Sequence, residues 1–369
     1  MRICIDARPA REVVTGLGRY AVSLVRQLAA LDRDNEYLIL RREQSTEPLV
    51  RQENFREVIL GHSMYSASNL LAGARAISAL KADLYHALFH FLPFGVSARR
   101  TVVTLQDLIW VQHPLSSSGR HWRRWLKASL AGPLIRHALA SADQIITTSE
   151  STRQQAIAHY GFPPAKFTTI HLGVDPLFFA PPPKALPAIC QGRPFIFSLG
   201  NTLPHKNIPR LLRAFAAIAP RYPELTLLIA GRGDGHSSLL RLASERGLGE
   251  RVLFGKQLSH AEIRACYAGA LLFAFPSLLE GFGLPVLEAM ASGCPVLGAD
   301  IPPVAEVAGE DAWLVDPLDP EAIAAGLRRL IDDAALRQEL SRRGRLRAAE
   351  FTWQACAEKT LEVYRRVLA

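Results

Sequence analysis

Two glutamates bracket a glycine turn in the second half of this chain. The stretch runs Phe275-Pro276-Ser277-Leu278-Leu279-Glu280-Gly281-Phe282-Gly283-Leu284-Pro285-Val286-Leu287-Glu288-Ala289-Met290. Gly281 and Gly283 allow a tight turn around Phe282, and a helix is expected from near Pro285, an early position where proline is tolerated. The amides at such a start, Gly281 to Leu284, suit a pyrophosphate. Glu288, expected in the first helical turn, can accept both hydroxyl protons of a vicinal diol such as a ribose. Glu280 would face whatever the phosphates carry. Solvated cap charges are the plain alternative, but they do not explain why both glutamates flank a Gly-Phe-Gly turn in an apolar passage.

Two further segments have anion-binding chemistry. Gly200-Asn201-Thr202-Leu203-Pro204-His205-Lys206-Asn207 follows a strand-like run, at the sheet edge where folds of this kind bind ligands. Lys206 there can neutralise a phosphate as a point charge, or be an ordinary surface lysine. Gly16-Leu17-Gly18-Arg19 lies between a first strand and a helix, and is neither a full dinucleotide fingerprint nor a Walker loop. Alone it also reads as an ordinary strand–helix turn.

Such segments need a scaffold. Short β-rich runs alternate with longer helical stretches throughout. They include Arg2–Asp6, Tyr37–Leu40, Leu84–His86, Thr101–Leu105, Gln144–Thr148 and Phe167–Ile170. After a proline-rich break the pattern restarts with Phe195–Leu199, Leu225–Ala230, Val252–Phe254, Leu271–Phe275 and Val296–Gly298. Alternation of this kind predicts an α/β fold with parallel sheets and crossover helices. The break, Gly173 to Gly192, holds Pro176, Pro181-Pro182-Pro183 and Pro187, and reads as a hinge. The expected organisation is therefore one Rossmann-like domain over residues 1–172, a linker over 173–192, a second such domain over 193–352, and a final amphipathic helix over 353–369.

Composition narrows the classes. The 369 residues are 49% hydrophobic and 21% charged, which excludes a disordered chain. The longest largely apolar run, Tyr267–Leu279, has 13 residues and contains Pro276, short of the roughly 20 that a membrane span needs. Five scattered cysteines (Cys4, Cys190, Cys266, Cys294, Cys356) form no C-x-x-C pair, so neither a disulfide framework nor a zinc site is indicated. With no signal-peptide layout after Met1, the expected compartment is the cytoplasm. The net charge is +9, of which +8 falls in residues 1–185. This excess favours an anionic partner, or simply solubility.

Other chemistry-bearing residues are less specific. Asp32-Arg33-Asp34, the sole Asp-x-Asp, reads as solvated charge, and no metal site is expected. His86 and His90 would need further ligands to hold zinc. His86 is assigned instead to an acceptor cleft, against a purely structural role. The basic segment from Arg120 through Trp122, Arg123, Arg124 and Trp125 to Lys127 suits peripheral contact with an anionic membrane. It equally suits nucleic acid by charge and stacking, or core-facing tryptophans with solvated arginines. No nucleic-acid-binding module is recognised, and none is expected as a partner.

The stretch Phe275–Met290 resembles the two-glutamate signature of the retaining GT-B glycosyltransferases of the glycogen-synthase-like type, the bacterial group 1 family. Shorter landmarks resemble that family in the expected order: Gly16-Leu17-Gly18-Arg19-Tyr20, Ala142-Asp143, Thr148-Ser149-Glu150, Gly173-Val174-Asp175, Gly231-Arg232-Gly233 and Gly293-Cys294-Pro295-Val296. The resemblance implies a GT-B architecture of two Rossmann-like domains with an interdomain cleft. The C-terminal domain would hold the nucleotide sugar. Glu288 would bind the ribose, Lys206 the phosphates, Gly281 to Leu284 the phosphates and sugar, Glu280 the sugar hydroxyls, and Gln257 and Leu258 the base. Gly200 and Asn201 would line the phosphate loop. The N-terminal domain would bind the acceptor through Arg19, His86 and Asp107, with Gly16 and Gly18 closing on the donor. The last helix would cross back to the N-terminal domain.

Two positions depart from the family pattern. Asn201 stands where members often have arginine, so that charge would have to come from Arg232 or Arg19. Gln106-Asp107 replaces the usual His-Asp after the strand Thr101–Leu105. A glutamine still donates and accepts hydrogen bonds but carries no titratable proton. Retention by a front-face route needs no protein base, because the departing phosphate can take the acceptor proton. Gln106 is therefore expected to tune donor choice. The resemblance implies a metal-independent hexosyltransferase without a cofactor, moving mannose first, or rhamnose or another 6-deoxyhexose second, from a nucleotide-diphosphate sugar, first of all a GDP-sugar. The acceptor would be a glycan or an anionic, lipid-linked glycan in cell-surface polysaccharide synthesis, reached at the inner face of the membrane. A nucleotide-sugar hydrolase or epimerase, and a donor-binding partner subunit with weakened catalysis, are the alternatives.

Overall fold

The structure, a computed structural model, describes the whole chain except residues 11–15, 44–46, 65, 67, 114–120, 184, 191, 232, 234 and 256–257; for residues 71 and 121–128 it describes the backbone alone. The described residues form two compact units. Unit 1 comprises Met1–Pro114, His121–Gly173 and Thr352–Ala369; unit 2 includes Val174–Phe351.

Unit 1 is built on a seven-stranded sheet of β1 (Arg2–Asp6), β2 (Glu36–Arg41), β3 (Phe55–Ile59), β4 (Leu84–Ala87), β5 (Arg100–Leu105), β6 (Gln144–Thr147) and β7 (Phe167–Thr169). The order is β3-β2-β1-β4-β5-β6-β7, and every pairing is parallel. The inner strands are buried along nearly their whole length, Asp6, His86 and Thr104 included, as expected where helices cover both faces. Unit 2 repeats the plan with β8 (Phe195–Leu199), β9 (Thr226–Ala230), β10 (Val252–Gly255), β11 (Leu272–Phe275), β12 (Val296–Ala299) and β13 (Trp313–Val315), in the parallel order β10-β9-β8-β11-β12-β13. Strand order reverses between β1 and β4 in unit 1, and between β8 and β11 in unit 2. Ligands of open α/β sheets bind outside the carboxyl ends of the strands at such reversals.

In unit 2 the helix Ile208–Ile218 turns Leu211, Leu212 and Phe215 into the core against Ile196, Leu227 and Ile229. Each such side chain stabilises the unit by about 1.5–3 kcal/mol on burial. The proline-rich stretch is not a free linker. Phe178 and Cys190 are buried, and Phe178 meets Tyr267 edge-on at 6.0 Å, all within unit 2. The last helix, Trp353–Leu368, starts at Thr352, whose hydroxyl accepts the Ala355 amide at 3.0 Å, and buries Trp353, Cys356, Leu361 and Tyr364 in unit 1. Gly173 has no room for a side chain, since a Cβ there would lie 2.1 Å from the Trp353 nitrogen. Among the described residues no helix is long and apolar enough to cross a membrane.

Candidate functional site

The loops after β8 and β11 flank the strand reversal of unit 2 and are tied to each other. The Asn201 side chain accepts the Leu203 amide at 3.1 Å, which turns the chain into the single helical turn Pro204–Lys206. Asn207 follows in the left-handed conformation, φ 59°. Its amide group donates to the carbonyls of Pro276 at 3.0 Å and Pro317 at 2.6 Å. The Leu278 amide donates to the His205 carbonyl at 2.7 Å. Lys206 is thereby delivered to Glu280, with Nζ 2.5 Å from Oε1. Both side chains are nearly enclosed, at 13% and 12% exposure. The ammonium also lies 5.2 Å from the centre of the Phe275 ring.

Glycines create the space for this pair. A Cβ on Gly200 would come within 3.2 Å of the Lys206 side chain. Gly231, at φ 145°, packs so closely on the β8 loop that a Cβ would sit 1.7 Å from the Gly200 carbonyl oxygen. A Cβ on Gly233 would lie 2.0 Å from the Thr202 hydroxyl, which accepts the Gly235 amide at 3.0 Å. The loops after β8 and β9 are thus in backbone contact. Leu258 is half-buried against Gly255. Arg232 and Gln257 lie outside the described residues.

Gly281 is half-buried, and Phe282 is buried with its ring edge-on to Phe351 at 6.0 Å. Gly283, at φ 112°, caps the helix Leu284–Ala291. That helix begins at Leu284, so Glu288 lies beyond the first turn expected for it. Its side chain is also enclosed, at 2% exposure, and the Tyr267 hydroxyl donates to Oε2 at 3.3 Å. The sequence reading missed both Tyr267, hidden in an apolar run, and the anchoring role of Asn207. Unit 2 therefore brings together a lysine, a carboxylate and a helix N-terminus at the ligand edge of a parallel sheet. This combination can hold a phosphate beside a polyhydroxylated group.

At the corresponding edge of unit 1, the helix Gly16–Leu31 opens with exposed Gly16, buried Gly18 and half-buried Arg19. Gln106 is half-buried, and its side-chain amide lies 3.5 Å from the Leu88 carbonyl. The Asp107 carboxylate accepts the Ile109 amide at 3.0 Å and so shapes the turn after β5. Asp6 and Arg8 form a buried ion pair absent from the sequence reading. Arg8 Nε donates to Asp6 Oδ1 at 2.7 Å, Arg8 Nη1 to Asn69 Oδ1 at 2.7 Å, and the Tyr85 hydroxyl to Asp6 Oδ2 at 2.9 Å. The pair ties the end of β1 to the segment around Asn69. Arg120 lies outside the described residues, as do the side chains of Trp122, Arg123, Arg124, Trp125 and Lys127.

His86 is not available to an acceptor. It is fully buried, with Nδ1 2.6 Å from the Tyr364 hydroxyl and Nε2 2.8 Å from Thr104 Oγ1. Burial pushes its pKa down to about 3. His90 is also driven down to about 3 by burial, and neither of its ring nitrogens has a hydrogen-bond partner among the described residues. Both rings stay neutral in the folded chain, whereas unfolded imidazoles protonate near pH 6.5. Below that pH the unfolded state binds more protons. Stability is therefore complete above pH 6.5 and falls as the pH drops toward 3. At pH 5 each ring is expected to cost about 2 kcal/mol. Urea unfolding of His90→Phe should show a smaller loss between pH 7 and pH 5 than wild type, and equal losses would refute this assignment.

Among the described residues no group of three His, Cys, Asp or Glu side chains is placed to hold a metal ion. Comparison with known proteins points one way. Residues 186–347 match the model of the glycosyl transferases group 1, and residues 14–177 match that of glycosyltransferase family 4. The chain is 27% identical to the O-antigen chain mannosyltransferase B of Escherichia coli, over 99% of this chain and 100% of that protein. It is 30% identical to the MMP alpha-(1->4)-mannosyltransferase of Mycolicibacterium hassiacum, over 70% of this chain and 65% of that one. Among solved structures it is similar to the sucrose-phosphate synthase of Thermosynechococcus elongatus, with a TM-score of 0.78 at 24% identity, over 99% of this chain and 98% of that one. It is also similar to WaaG, a glycosyltransferase involved in lipopolysaccharide biosynthesis, with a TM-score of 0.75 at 16% identity, over 98% and 99%. These structural likenesses establish the GT-B fold.

Proposed function

The chain belongs to the group 1 glycosyltransferases, and on that footing we propose that it moves a hexose, mannose first, from a GDP-sugar to a glycan or lipid-linked acceptor in cell-surface polysaccharide synthesis. One observation carries the site assignment. Lys206 and Glu280 meet at 2.5 Å where the strand order of unit 2 reverses, beside the start of the helix Leu284–Ala291. In this reading Lys206 and the backbone from Gly281 to Leu284 take the donor phosphates. Glu280 takes hydroxyls of the sugar and Glu288 those of the ribose. Mannose is supported by the two mannosyltransferase relatives, and the basic excess of residues 1–185 suits an anionic acceptor.

The catalytic work is electrostatic. As the bond from the anomeric carbon to the phosphate oxygen breaks, negative charge grows on the departing diphosphate. A preplaced ammonium and helix N-terminus stabilise that charge more than they stabilise the ground state. Their positive charge supplies what a divalent cation would otherwise provide, and the reaction is metal-independent. The acceptor hydroxyl attacks from the face the phosphate leaves. Its proton passes to the phosphate oxygen, so configuration is retained without a protein base.

The test is transfer from GDP-mannose in the presence of a chelator, with the anomeric configuration read by NMR. An α-linked product supports the reading. Free mannose or an isomerised donor without transfer would favour the hydrolase or epimerase alternative. Gln106, in the family's histidine position, is assigned to sugar choice. Gln106→His is expected to shift the ratio of mannose to 6-deoxyhexose transfer, and an unchanged ratio would remove that role.

A further inference from the structure

We propose that the Lys206–Glu280 ion pair is the closed resting state of the donor site: the incoming diphosphate opens it, and its re-formation expels the nucleoside diphosphate product. This rests on the reading that Lys206 binds the donor phosphates. The 2.5 Å contact places the carboxylate where a phosphate oxygen must arrive to meet the same ammonium. At 12–13% exposure, little water screens the two anions from each other. Lys206 has little freedom to swing away. Its stem packs on Gly200, its ammonium lies 5.2 Å from the Phe275 ring centre, and its turn is pinned to the Glu280 loop by the His205–Leu278 and Asn207–Pro276 hydrogen bonds. Glu280 lies just before the Gly281-Phe282-Gly283 turn, and the opening step is a rotation of its side chain away from the ammonium.

The consequence separates donor from product. A whole nucleotide sugar brings hydroxyl groups that engage Glu280 once it leaves Lys206, so phosphate and carboxylate are both satisfied. After transfer the sugar is gone. The diphosphate then competes alone against a carboxylate whose partner among the described residues is Lys206. Glu280 thus binds the donor and also weakens the product. Release of product limits turnover in many enzymes, and a built-in competitor accelerates it.

Glu280→Gln keeps the shape and removes the charge. The variant is expected to bind GDP about tenfold more tightly than wild type, with the gain in a slower off-rate, while transferring mannose more slowly. Calorimetry gives the affinity and stopped-flow displacement gives the off-rate; a melting curve confirms folding. Lys206→Met should also weaken GDP more in the Glu280→Gln background than in wild type, because in wild type the lysine is already engaged. GDP binding by Glu280→Gln that is unchanged or weaker than wild type would overturn the inference and leave the donor site standing. Absence of GDP binding to wild type would instead remove the functional reading beneath it.

Discussion

Lys206→Ala is expected to lower mannose transfer by about 10²–10³-fold in a folded protein, the usual effect of removing one preorganised group that stabilises developing charge. Its ammonium lies between the loops after β8 and β11, at 2.5 Å from Glu280. Removing it leaves Glu280 enclosed without its cation, and a loss of stability of about 1–3 kcal/mol accompanies the change. Activity should therefore be compared at a temperature where circular dichroism shows both proteins folded. Transfer within about tenfold of wild type would detach Lys206 from the leaving group.

Gly231→Ala should give the largest structural effect in this region. At φ 145° an alanine is strained whatever the space, and its Cβ would fall 1.7 Å from the Gly200 carbonyl oxygen. Neither atom belongs to a flexible side chain, so the backbone of one loop must move. A loss of about 3 kcal/mol or more is expected, together with weaker nucleotide binding, because Gly200 supports the Lys206 stem. Gly247 is the control: its φ is 69° and a Cβ there meets nothing within 4 Å. Gly247→Ala should lose only about 1–2 kcal/mol, the ordinary price of the left-handed region. Urea unfolding of both variants checks the contrast, and equal losses would mean that the β8 and β9 loops do not touch.

The two parallel sheets were legible because their inner strands are short runs rich in apolar and β-branched residues, as in Phe195–Leu199 and Val102–Leu105. The edge strands β3 and β13 were not. Phe55–Ile59 carries Arg56 and Glu57 and is only partly buried, while Trp313–Val315 is three residues long. Neither of these two edge strands presents a sustained apolar pattern, so periodicity does not reveal them. The pairing of Lys206 with Glu280 was legible only as two separate motifs, 74 residues apart, since the sequence does not show that β8 and β11 are neighbours.

Histidine shows the limit most clearly. His86 lies within the short strand Leu84–Ala87, and nothing in its spacing shows that Tyr364, 278 residues later, will pair with its ring. The same holds for Arg8 and Asp6, whose i, i+2 spacing looks like surface charge until Tyr85 and Asn69 enclose it. Glu288 was legible as a candidate for the site by type, but its depth depends on where the helix begins and on Tyr267.

Unit 2 is proposed to bind a nucleoside diphosphate through Lys206 and Glu288. Calorimetry of GDP, UDP, dTDP and ADP against wild type, Lys206→Ala and Glu288→Ala tests it most directly. GDP is expected to bind selectively to wild type and at least about tenfold more weakly to each variant. Binding of none of the four nucleotides, or GDP binding that ignores both substitutions, would contradict it.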